Sequence, residues 1–184
     1  MLFELIIALV ILFVLVAVYY INRIIVLANR IDNAWAQIDV QLKKRTDLVP
    51  NLVETVKGYM RHEKEVFEKI AKAREQMMKA GSVAEKAKAS GEMTKALKTI
   101  FALAENYPNL KSNENFKLLQ EQLEGIENKI AYARQFYNDS VLVYNNLIMT
   151  IPGKWFAAMI GKNKPHEYFE ISESARKPVR VKFD

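Results

Sequence analysis

Cysteine is absent from the 184 residues. Disulfides, thiol nucleophiles, thiolate-bound metals and an acylated lipoprotein cysteine are thereby excluded, while the redox compartment is left unread. Glycine (6) and proline (5) are scarce, and scattered glycines build no phosphate-cradling loop. The two histidines are His62 and His166. His62-Glu63 lacks the second histidine of H-E-x-x-H. No Glu-x-x-His pair serves a di-metal bundle, and no serine stands in G-x-S-x-G. From these residues we expect no catalytic site, no metal, no cofactor and no small-molecule substrate.

Basic residues are missing from the first 21 positions, where the only charged side chain is Glu4. Beyond them the chain is basic, with an overall net charge of +6. Such a balance suits an anionic membrane surface or nucleic acid. Acids are interleaved with the bases, however, as in Arg61-His62-Glu63-Lys64-Glu65, which reads as a solvated helix face. Lysine-rich stretches such as Lys86-Ala87-Lys88 have no aromatics for base stacking, so nucleic acid is not expected.

What is present is apolar residues at 51%, beginning with an unbroken run from Leu5 to Ile21. At 1.5 Å per residue it is about 25 Å long, enough to cross a hydrocarbon core at the short end. Leu5, Ile6, Leu9, Leu12, Phe13 and Val16 would face lipid, with Tyr19 and Tyr20 at the aromatic belt. A cleaved signal peptide needs a basic n-region and a small-residue site. Neither Met1-Leu2-Phe3-Glu4 nor Ala17-Val18-Tyr19 supplies them, so the segment is expected to stay attached. Arg23, Arg30, Lys43, Lys44 and Arg45 follow it. The positive-inside rule then puts the N-terminus outside and the remainder in the cytoplasm.

From Arg23 onward apolar residues recur at helical spacing: Leu27, Ile31, Ala34, Ile38, Leu42. This helix is expected to be continuous with the membrane span. Pro50 predicts an end or a kink near Thr46–Val49. A second seam reads Leu52, Val56, Tyr59, Glu63, Val66, Ile70, Ala73, Met77, with Glu63 as its only charge. Gly81-Ser82 ends it. A third, alanine-rich helix carries Leu97, Ile100, Phe101 and Ala104 and stops at Tyr107-Pro108-Asn109. The fourth runs from an Asn113 cap through Phe116, Leu119, Leu123, Ile126, Ile130, Ala133, Tyr137, Ser140, Tyr144 and Leu147 to Ile151, before Pro152-Gly153. The expected fold is all-α: a transmembrane helix (1–22) continuous with an antiparallel, up-and-down four-helix bundle (23–152). A membrane-proximal amphipathic segment and a short extended tail complete it (153–184).

If Pro50 is a true corner, the fourth helix returns to the bilayer. Trp155, Phe156, Met159 and Ile160, set between Lys154 and Lys162, would then anchor at the interface or else cap the open end of the core. If Pro50 only kinks, this segment lies far from the membrane. Asn33, Gln37 and Gln41 on one helix and Asn138 and Asn145 on the other form polar stripes. They are either solvated, a second polar contact within the bundle, or a homo-oligomer interface. Val179-Arg180-Val181-Lys182-Phe183 alternates like an edge strand or frays.

The run Ile31-Asp32-Asn33-Ala34-Trp35-Ala36-Gln37-Ile38-Asp39-Val40-Gln41-Leu42-Lys43-Lys44-Arg45, continued by Asp47-Leu48-Val49-Pro50-Asn51-Leu52, resembles the signature of LemA proteins. Tyr107-Pro108-Asn109-Leu110-Lys111, Tyr137-Asn138, Tyr144-Asn145, Ile151-Pro152 and Tyr168-Phe169-Glu170 are also similar to the family pattern. Two positions depart from it: Ile151 where a Phe is usual, and Lys162 where an aromatic is. The resemblance implies a four-helix protein anchored in a bacterial-type inner membrane, without established enzymatic activity, associated with membrane quality control or stress and at times with membrane proteases. The reading is therefore a scaffold or adaptor acting through the bilayer, homo-oligomerisation and partner binding. Rival readings are a component of an oligomeric pore, disfavoured by an apolar span, and an atypical enzyme around His62 and Glu63.

Overall fold

A computed structural model of the protein describes residues 1–170. The expected extended tail, with the Val179–Phe183 alternation, lies largely outside these residues. All regular structure among them is helical: α1 (Leu2–Lys57), α2 (Lys64–Lys79), α3 (Val83–Ala104), the single turn α4 (Pro108–Lys111), α5 (Glu114–Met149) and α6 (Gly153–Met159). The chain forms two compact units. One comprises Met1–Gln37 and Gln135–Glu167, the other Ile38–Arg134 with residues 168–170. Both α1 and α5 contribute to each.

In the second unit α1 does not end at Pro50. The helix runs through it to Lys57, so of the two expectations near Thr46–Val49 the end is excluded. A helical proline removes one N–H and orphans the carbonyl four residues before it. Here that carbonyl, of Thr46, accepts a hydrogen bond from Arg74 Nε at 3.4 Å. Val49 and Leu52 on either side are buried, and tertiary packing outweighs local preference. The corner falls instead over Gly58–Glu63, where the Tyr59 and Met60 amides both bond to the Val56 carbonyl and Met60 plugs the core. The seam expected from Leu52 to Met77 is thus split between α1 and α2. Glu63 precedes α2 and accepts a hydrogen bond from the Tyr107 hydroxyl at 3.1 Å.

The other boundaries follow local chemistry. Ser82 caps α3: its Oγ accepts from the Glu85 amide, and the Glu85 carboxylate accepts from the amides of Ser82 and Gly81. Those two N–H donors hold the Glu85 carboxyl below the usual range. Asn113 Oδ1 accepts from the Phe116 amide at 3.0 Å and starts α5. The core of this unit joins Val49, Leu52 and Val56 of α1, Val66, Ile70 and Ala73 of α2, Met93, Leu97 and Ile100 of α3, and Phe116 and Leu123 of α5.

The first unit packs Ile24, Leu27, Ile31 and Ala34 of α1 and Tyr137, Val141, Tyr144 and Ile148 of α5, all buried. Trp35 meets Tyr137 at 5.7 Å between ring centroids, and Tyr20 meets Phe156, beyond α5, at 5.6 Å. Position rises along one strand of chain as it falls along the other, so the two run antiparallel. Ile151, expected as the last seam residue, is exposed.

Candidate functional site

At the N-terminal end of α1 the apolar stretch has a mean hydropathy of 3.0 with none of it buried. Leu5, Ile6, Leu9, Leu12, Phe13 and Tyr19 are exposed; Val16 and Tyr20 are half-buried. A core helix of a soluble protein would bury such side chains.

Phe156 connects this stretch to the segment that follows α5. Its ring lies 6.2 Å from that of Phe13 and 5.6 Å from that of Tyr20. Of the four residues expected to lie at the interface, Phe156 is buried and Ile160 half-buried, while Trp155 and Met159 point outward at 60% and 70% exposure. Gly153 makes the approach of α6 feasible, since a Cβ there would stand 2.1 Å from the Leu147 carbonyl oxygen. Gly161, at φ 68°, closes α6 in the left-handed conformation suited to glycine.

Three side chains of α5 then fasten the segment that follows. The Tyr144 hydroxyl donates to the Lys162 carbonyl and the Tyr137 hydroxyl to that of Glu167, each at 2.9 Å. Asn145 donates to the His166 carbonyl at 3.0 Å and accepts from its amide at 2.9 Å. Burial pushes the Tyr137 phenol up to about 12, with Glu167 and Asp32 adding to it, and raises Tyr144 for the same first reason.

The polar stripe is divided by these contacts. Asn33 and Gln37 are exposed and bonded to each other at 3.3 Å. Gln41 is half-buried and belongs to the other unit. Asn138 is half-buried and engaged. Asn145 is buried and spends its amide on its own chain, which removes it from any outward-facing surface.

The most conspicuous polar feature was not anticipated from the sequence. Arg45, read there only as a flanking charge, is fully buried in the second unit. Its guanidinium pairs with Glu127 and donates to Thr94 Oγ1 at 3.0 Å, Ser90 Oγ at 2.8 Å and the Ser90 carbonyl at 3.3 Å. Burial pulls its pKa down and Glu127 pushes it back. The available signal was spacing: Ile38, Leu42, Arg45, Val49, Leu52 and Val56 step by four and three, so Arg45 occupies a seam position. Among the described residues no cluster of His, Asp and Glu has the geometry to hold a metal ion.

Helical structure throughout the described residues, with an unburied apolar stretch at the start of α1, fits membrane anchoring. The chain belongs to the LemA family, whose profile matches residues 34–183. It is similar to the magnetosome protein MamQ of Magnetospirillum gryphiswaldense, 28% identical over 171 residues, covering 78% of this chain and 62% of MamQ. It is likewise similar to the MamQ 1 and MamQ 2 proteins of Paramagnetospirillum magneticum, 24% identical over 184 residues, covering 86% of this chain and 67% of each. The chain thus spans about three fifths of the length of the first of these relatives.

Proposed function

We propose that the protein is a single-pass membrane scaffold: α1 anchors it, and a four-helix bundle on the cytoplasmic side of a bacterial-type inner membrane acts by self-association and partner binding, without enzymatic activity. The observation that carries this reading is the apolar stretch of α1, none of it buried, leading without interruption into core-forming helix. The bundle is supported by the shared core of α1, α2, α3 and α5. It is supported too by pairings that ascend together on α1 and α3, as Asp39–Lys86 and Arg45–Thr94, but run oppositely along α1 and α5, as Arg45–Glu127 and, just past the end of α1 and before the start of α5, Tyr59–Asn113. Arg23, Arg30, Lys43 and Lys44 after the span favour the cytoplasm. Self-association finds support in apolar side chains that α5 leaves outward, Tyr132 at 75% exposure above all. Following the family resemblance, membrane proteases are the partners to look for first.

The test is the mass of the gently extracted complex, by light scattering with detergent subtraction, together with identification of co-purifying proteins. An oligomer or a stable companion is expected; a bare monomer at cellular concentration refutes the scaffold.

A further inference from the structure

Depth along α1 determines where α6 must lie, given the anchoring proposed above, on which this inference rests. The apolar run Leu5–Ile21 is about 25 Å long, so Phe13 stands near its middle and Tyr20 near its cytoplasmic end, about 10 Å apart along the axis. Phe156 packs on both rings. It therefore sits between their levels, beneath the headgroups rather than above them. Val16, Ala17, Tyr20 and Ile21, spaced as one helical face, are half-buried where their neighbours on the span are exposed.

We infer that α6 is a second membrane anchor, inserted into the acyl-chain region of the cytoplasmic leaflet beside the span. Its occupant is lipid, and the argument is continuity: the inner face of α6 is already joined to the transmembrane helix through Phe156. Its outer face presents Trp155 and Met159, with Ile151 just before it, all well exposed. In water these would be a solvation penalty; in the interface they are the residues that bind. Lys154 and Lys162 flank the turn and are exposed, with stems long enough to bring their ammonium groups up to the phosphates. The chain thus meets one leaflet at two places: a spanning helix and a short wedge at its side.

Because the chain has no cysteine, a single nitroxide can be placed cleanly. Trp155→Cys, Met159→Cys and, as reference, Leu9→Cys are made in the full-length protein. Each is labelled in nanodiscs of phosphatidylcholine and phosphatidylglycerol and read by power saturation with oxygen against a nickel chelate. Trp155 and Met159 project outward, so neither substitution disturbs Phe156. The expected result is oxygen-dominated relaxation at all three sites, with labels 155 and 159 about 5–10 Å below the phosphates. Nickel-dominated relaxation at 155 and 159 with Leu9 in lipid overturns the second anchor alone. Nickel access at Leu9 as well overturns the anchoring and this inference together.

Discussion

Removing the Arg45 guanidinium is the sharpest perturbation of the folded core. Arg45→Met keeps the apolar volume but leaves Glu127, Ser90 and Thr94 without their shared donor. Cutting one member from a fully buried ion pair costs about 3–5 kcal/mol. Glu127 is 30% exposed and can recover water, which lowers the expected cost to about 2–3 kcal/mol. Glu127→Ala should cost more, because Arg45, at 0% exposure, has no route to solvent and keeps only its hydroxyl and carbonyl acceptors. The double variant should lie well short of the sum, with a coupling above about 1 kcal/mol. For a chain of this size 1 kcal/mol moves Tm by about 2–4 °C, so Arg45→Met should melt about 4–12 °C below the wild type. Circular dichroism of the full-length protein in nanodiscs reads this directly. Additive losses, or Arg45→Met melting within 2 °C of the wild type (less than about 1 kcal/mol), would show that the cluster is not a coupled unit.

Tyr137, with its phenol near 12 against the usual 10, should stabilise the fold fully below about pH 10 and lose that contribution as pH rises toward 12. Tyr137→Phe should remove a late phenolate step from the absorbance titration, and an unchanged curve would contradict the assignment. Pro50→Ala restores an N–H toward the Thr46 carbonyl inside a continuous helix and should raise stability by about 1–3 kcal/mol; a fall in Tm would mean the proline is required where it stands. Gly153→Ala forces a Cβ against the Leu147 carbonyl and should loosen α6, seen as faster amide exchange over residues 153–162; unaltered exchange would mean the approach is not tight.

Sequence periodicity was sufficient for the helices of α3 and α5, because Ser82, Asn113 and Pro152 mark their ends with local chemistry that the structure retains. The exposed apolar stretch of α1 was equally legible, since apolarity on every face needs no tertiary information. Two features were hidden from the sequence because the deciding partner is remote along the chain. Pro50 is accommodated by Arg74, 28 residues away, and the charge of Arg45 by Glu127, 82 residues away. The bonding of Asn145 was equally hidden: a backbone segment 21 residues on takes up its amide. Local rules describe what a residue prefers alone, and these three are governed by what the fold brings to them.

The account depends most on the first stretch of α1 lying in lipid. Single cysteines placed from Leu5 to Arg30 in native membranes, treated with a water-soluble maleimide, test it directly. The account predicts protection across Leu5–Ile21 and labelling from Arg30 on exposed positions from the cytoplasmic side. Uniform labelling through Leu9, Leu12 and Phe13 would contradict it.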